Sequence, residues 1–247
     1  MARRALAALI VGLSIVGLAR LHRIETFRAP PLHFEANRGQ TDPRVRFLAR
    51  GIDHALFLTA SEAVLVLTNP ETKLVLRMQF LGANARPRVA GLDELPGKTN
   101  YFVGRDPAQW RTNVPVFGTV QYTDLYPGID LRYFGDQRQV ACEFVVRPGA
   151  DPRRVSLAWQ GVDSLELDAR GNLLLHTAAG VVRQPKPHVY QALAPARRDI
   201  AGRYVRQASR QFGFDAGTYD ATRPLVITSI VPLSVSPEES ASMTSVR

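Results

Sequence analysis

An all-β fold of antiparallel, sandwich-like sheets is what this sequence predicts, on three observations. Between Val120 and Pro152, strand-like and turn-like stretches alternate almost without ambiguity. Many short runs keep an apolar/polar period of two, the period of a strand with one buried face. Gly, Pro, Asn and Asp punctuate those runs and supply the backbone angles that turns require. At 247 residues the chain suffices for one large β domain or for two packed β subdomains dividing near 82–116.

Taken in order, Arg3-Arg4 precede an uncharged apolar run, 5–19, that ends in Gly17-Leu18-Ala19. Basic start, apolar core and small terminal residues are the layout of a secretory signal peptide. The run is shorter than the roughly 20 residues that span a bilayer. The expectation is therefore an exported protein, extracellular, periplasmic or at the cell surface, cleaved after Ala19, with an uncut signal anchor as its one route to a membrane. Residues 20–31 read as an extended lead-in, 32–227 as the β-rich domain and 228–247, rich in Ser, Thr and Glu, as a disordered tail.

Within the domain, strands are expected at 45–49, 55–59, 63–68 and 74–80. The stretch 82–116 carries Pro87, Pro96, Pro107 and Pro115, and predicts long loops or a short connecting helix. Pro127-Gly128 fits the central positions of a type II turn, with strands leaving on both sides. A second hairpin series follows from Val155, turning at Asp168-Ala169-Arg170-Gly171, and strands at 200–206, 211–214 and 225–227 complete the domain.

The net charge of +9 and pI near 10.3 invite a polyanion-binding reading. That reading fails on texture: the charge is arginine scattered singly and in pairs, with lysine only at 73, 98 and 186, and no nucleic-acid-binding motif accompanies it. No nucleic-acid partner, cofactor or metal is expected. Gly97-Lys98-Thr99 resembles the end of a phosphate loop, but Leu92 stands where a glycine is needed and Pro96 removes a backbone donor. His22, His33, His54, His176 and His188 lack metal-ligand spacing. Cys142, the only cysteine, reads as a small buried hydrophobe. Asp124, Asp130 and Glu143 offer the carboxylates of a remote hydrolase alternative, yet no catalytic motif is present and the expectation is a non-enzyme.

Nine of the twenty aromatics fall between Tyr101 and Phe144. Most are expected in the core, as strand aromatics usually are. Trp110 is the exception, because it lies in the proline-broken stretch. With Tyr101 and Tyr126 it forms the candidate contact set for an unknown protein or glycan at the cell surface.

The run FEANRGQTDPRVRFLARG from Phe34, then GLDELPGKTNYFVGRDPAQWRTNVPVFG, YTDLYPGIDLRYFG, FVVRPGADP, LDARGNLLLHT and PHVYQ, in this order, resembles the N-terminal domain of bacterial β-propeller-repeat (SBBP) proteins. The resemblance implies an exported or surface β-rich domain of unassigned activity that normally precedes a propeller. Two departures stand out. Ala141-Cys142 replaces an acidic-aromatic pair, and Pro224-Leu225-Val226-Ile227 leads into Thr228-Ser229 where the family continues to its first repeat. The implied role is structural or protein-interacting, with a carbohydrate-binding module as the alternative.

Overall fold

Alternation along the chain decides which residues become strands, and the structure, a computed structural model, describes residues 31–68, 70, 72–193 and 196–235. The predicted signal run, the lead-in up to residue 30 and the tail from 236 lie outside the described residues. The strands are, in chain order, β1 (Phe34–Ala36), β2 (Phe47–Arg50), β3 (His54–Leu58), β4 (Glu62–Thr68), β5 (Lys73–Phe80), β6 (Arg88–Tyr101), β7 (Arg111–Tyr126), β8 (Ile129–Gly135) and β9 (Gln139–Val146). There follow β10 (Leu157–Gln160), β11 (Ser164–Leu167), β12 (Leu173–Thr177), β13 (Gly180–Gln184), β14 (His188–Leu193), β15 (Ala196–Ile200), β16 (Gly202–Ala208), β17 (Gln211–Ala216) and β18 (Leu225–Pro232). The fold is all-β and antiparallel, as expected; the helical elements among the described residues are two 3-10 turns, at Pro107–Gln109 and Pro152–Arg154.

One long sheet runs in the order β15-β14-β18-β9-β8-β7-β1-β2-β3-β4-β5-β10-β17-β16, and β11-β12-β13 form a second, small sheet. Its two arms meet at β1, a three-residue strand wedged between β7 and β2. The arms then fold face to face. Phe144 of β9 packs on Phe214 of β17 with ring centroids 5.4 Å apart, and the Tyr204 hydroxyl of β16 lies 2.8 Å from the Ser229 hydroxyl of β18. Between the arms sits one contiguous apolar cluster, which also takes in Leu165, Leu173, Leu175 and Val182 of the small sheet. A division into two subdomains near 82–116 is therefore not what the packing shows, because the core is shared across that point.

Tyrosines tie the layers at their rims. Tyr122 donates to the Thr59 carbonyl at 2.7 Å, Tyr126 to Ser156 at 2.8 Å and Tyr204 to Pro185 at 2.8 Å. Each buries a large ring and satisfies its hydroxyl on a turn of another element, which is how a buried tyrosine avoids an unmet polar group. Gly128 has φ 76°, the left-handed value that the second central residue of the expected type II turn takes.

Two expectations are corrected. Most of the stretch 82–116 is not loop: β6 pairs with nearly the whole of β7, from Arg88 with Thr123 to Tyr101 with Arg111, and the expected short helix is confined to the 3-10 turn Pro107–Gln109 between them. Pro96 is tolerated there because it falls in a register slip between Glu94 and Lys98, on a strand paired only with β7. The domain also does not end at Ile227. β18 continues to Pro232, pairing Thr228 with Glu143, Ser229 with Cys142 and Val231 with Val140, and the Leu233 amide donates to Arg138. Val231 and Leu233 are buried in the core, so the serine and threonine between apolar positions mark alternation and not a disordered tail.

Candidate functional site

The ribbon of β6 and β7 is bent by its own backbone. Asp93 and Asn113 take positive φ, 55° and 56°, and the register slips twice along β6. Bulges of this kind turn a two-stranded ribbon out of the plane of its sheet. Its far end is braced against β1 and β2. The Tyr101 hydroxyl donates to the Glu35 carboxylate and accepts from Arg50 at 3.2 Å, while the Arg50 guanidinium lies 5.5 Å from the Tyr101 ring centre. Partial burial and the neighbouring Glu35 charge push the Tyr101 hydroxyl up to about 12. Arg111 closes the other side: its guanidinium packs on Gly39, φ 100°, where a Cβ would stand 3.0 Å from Nε.

Beyond this brace the chain makes a knuckle from Phe102 to Trp110. Asp106 accepts from the Ala108 amide at 2.9 Å and caps the 3-10 turn that Pro107 begins. Trp110 Nε1 donates to the Gly104 carbonyl at 3.2 Å, and the Phe102 ring meets Trp110 edge to face at 5.1 Å. The turn is thus held by its own contacts, yet Phe102 is 61% and Val103 70% exposed. Two large apolar side chains thus stand side by side in solvent on a braced support.

Of the three contact residues expected from sequence, Trp110 and Tyr101 come to this ribbon end and both are half-buried. Tyr126 does not. It lies at the opposite end of β7, 1% exposed, with its hydroxyl spent on Ser156. A period-two pattern shows that alternate residues share a face but not which face is covered. Phe102 and Val103 escaped the sequence reading. Their signal was two apolar residues running directly into the turn sequence Gly104-Arg105-Asp106-Pro107.

A second polar feature crosses the outer face of the β7–β14 arm. Gln121, Arg132, Glu143, Thr228 and His188 stand opposite one another on five successive strands. Arg132 donates to Gln121 at 2.9 Å and lies 3.7 Å from Glu143, which also accepts from Tyr190 at 3.4 Å. His188 stacks on Tyr190 and pairs with Asp199 at 3.1 Å; Arg197 covers the same tyrosine ring. Glu143, Thr228 and Tyr190 are buried, so this row is a lattice between strands and not an open site.

The remaining candidates are placed as follows. Asp124 and Asp130 share Arg147, 3.6 Å from Asp130, and Asp130 also accepts from the Asp124 amide at 2.8 Å. Burial pushes the Asp130 carboxyl up. Each of the three carboxylates considered for hydrolysis is thus engaged by an arginine. Gly97-Lys98-Thr99 is extended within β6, with Lys98 paired to Glu94. Cys142 is buried on β9 as expected, and burial pushes its thiol up to about 12. A cavity of about 100 Å³ opens between β11, β12 and the β16–β17 hairpin, lined by Leu165, Leu167, Leu173 and Phe212, with Arg206 at its side. That volume is well below the roughly 300 Å³ at which small-molecule sites begin. Among the described residues no cluster of three potential metal ligands occurs, and no helix is long and apolar enough to cross a membrane.

Comparison with known proteins supplies a family. No curated protein and no solved structure matches the chain. The sequence model of one family, a domain of unknown function (DUF7948), matches residues 34–228, from the start of β1 into β18. Since that match covers most of the chain and almost all of the folded β structure, the protein belongs to the DUF7948 family of domains of unknown function.

Proposed function

We propose that this is a non-enzymatic β domain, exported to the cell surface or periplasm, whose role is structural and interactive. The observation that carries the reading is the knuckle: Phe102 and Val103 held in solvent on a ribbon braced by Tyr101, Glu35, Arg50 and Arg111. Two adjacent apolar side chains fixed in solvent on a rigid turn, with charged groups around them, are the make-up of a small contact surface. Export is supported by the signal-like N-terminal sequence. A place ahead of a propeller is supported by the family resemblance of the runs from Phe34 to PHVYQ. Glycan binding is the second reading, favoured by the polar trio Glu35, Tyr101 and Arg50 next to the Phe102–Trp110 pair.

A photoreactive amino acid at position 103, introduced in producing cells, tests this. Adducts to an envelope component, on chain that external protease can digest, are the expected result. Chain that stays protease-protected in the cytoplasm, with no adducts, refutes the reading. A glycan array decides the second: binding that Trp110→Ala abolishes establishes it.

A further inference from the structure

We propose that the knuckle Phe102–Trp110 is a membrane-contact site, seated in the headgroup region of an anionic bilayer with Phe102 and Val103 among the acyl chains and the arginines around it on lipid phosphates. The inference rests on the surface location proposed above and names the partner.

Three features favour a bilayer over a folded protein partner. First is size. The apolar surface is small, two exposed side chains and one half-buried tryptophan at the turn between β6 and β7, whereas a stable protein interface needs roughly 800 Å² on each side. A soft, deformable phase accepts a small wedge without a matching pocket. Second is composition. Trp110 presents an apolar ring whose N–H is already satisfied by Gly104, and tryptophan in that state suits the water–lipid boundary.

Third is charge. Arg105 is exposed on the knuckle, while Arg111 lies at its base beside Gly39, which places exposed Arg38 at the same end. Asp106, which accepts from the Ala108 amide, and Glu35, which accepts from Tyr101, keep their negative charges, so four arginines at this end, Arg38, Arg50, Arg105 and Arg111, stand against two carboxylates. The result is an apolar tip collared by cations, which complements anionic headgroups. Rigidity helps as well, since a turn already closed by its cap, its ring pair and its tryptophan hydrogen bond loses little freedom on insertion.

The two tryptophans make the site readable. Trp159 is 2% exposed in the core, so a quencher confined to acyl chains reaches Trp110 alone. The exported chain is mixed with vesicles of brominated phosphatidylcholine, with and without an equal share of brominated phosphatidylglycerol. Insertion quenches up to about half the emission, and far more with phosphatidylglycerol present. Trp110→Phe removes the quenchable fraction. The Phe102→Ser/Val103→Ser variant, which touches only exposed positions and should keep its Trp159 emission, should lose about tenfold or more in vesicle partitioning. Arg105→Glu should lose binding to the anionic vesicles and leave the residual binding to phosphatidylcholine alone. Two results overturn the proposal: no quenching of the wild-type chain, or partitioning that the double serine variant leaves unchanged. If position 103 cross-links to an envelope protein while vesicles quench nothing, the membrane assignment falls and the surface-interaction reading stands.

Discussion

Cys142 and Tyr101 show how burial sets chemistry one side chain at a time. Burial in the core pushes the Cys142 thiol up to about 12, against a hydrogen bond with Tyr133 that lowers it, and the thiolate is the species that reacts. Folded protein near pH 8 should therefore resist a maleimide for hours and take up one equivalent on unfolding. Rapid labelling without denaturant would place Cys142 at the surface and refute the β9–β18 pairing. Tyr101 works through linkage. Its hydroxyl is raised from 10 to about 12 in the fold, so the stability it contributes is complete below pH 10 and lost as pH rises toward 12. The melting-temperature advantage of the wild type over Tyr101→Phe should shrink across that window; an advantage constant with pH rules out the Glu35 contact as its source. Backbone constraint is as local. Gly161 has φ 81°, and a Cβ there would lie 2.1 Å from the Val75 carbonyl oxygen. Gly161→Ala should cost at least the roughly 1–3 kcal/mol of a strained left-handed residue, visible as a lower denaturant midpoint.

Among the elements, β18 decides the most. It joins β9 to β14 along the middle of one arm, and its Ser229 takes a hydrogen bond from Gln184 of β13 at 2.5 Å while meeting Tyr204 of β16. One residue thereby links the small sheet, the far arm and the near arm. A chain stopped after Ile227 forfeits that knot together with buried Val231 and Leu233. The loss of several kcal/mol should lower the melting temperature by about 10 °C or more, at about 2–4 °C per kcal/mol for a chain of this size. A stop after Val235 should change it by no more than about 1–2 °C. Equal melting of the two truncations would mean that the second half of β18 carries no load. The β6–β7 ribbon is the opposite kind of element: β6 is largely exposed, so substitutions along it should cost little stability.

At the scale of the whole molecule, the two arms close over one core that the small sheet shares, so no part has a private interior in which to remain folded alone. Unfolding should be a single transition. Trp159 emission, followed in a Trp110→Phe background, and far-UV circular dichroism should lose signal at the same urea concentration. Two separated midpoints would restore the division into subdomains that the proline-rich stretch first suggested.

Period-two alternation with Gly, Pro and Asp punctuation was enough to read β2 to β5, β16 and β17 to within a residue or two, because those signals act between neighbours in the chain. The buried state of Cys142 followed from its place in such a run. What sequence could not show was set by pairing across long separations. β1, β6, β13 and β15 carry weak local patterns and exist because a partner strand presents its free amides and carbonyls. The second half of β18 read as a tail because its Thr228 and Ser229 look solvated until Glu143, Gln184 and Tyr204 are brought to them. The site divided in the same way. Trp110 stood out as an aromatic outside any clear strand, but Tyr126 and Tyr101 look alike in one dimension. Only the folding of one arm over the other sends Tyr126 to the core, and only the bend of the ribbon sets Tyr101 on Glu35 and leaves Phe102 and Val103 in water. Local alternation specifies strands; which face of a strand meets protein and which meets solvent is a property of the packed layers.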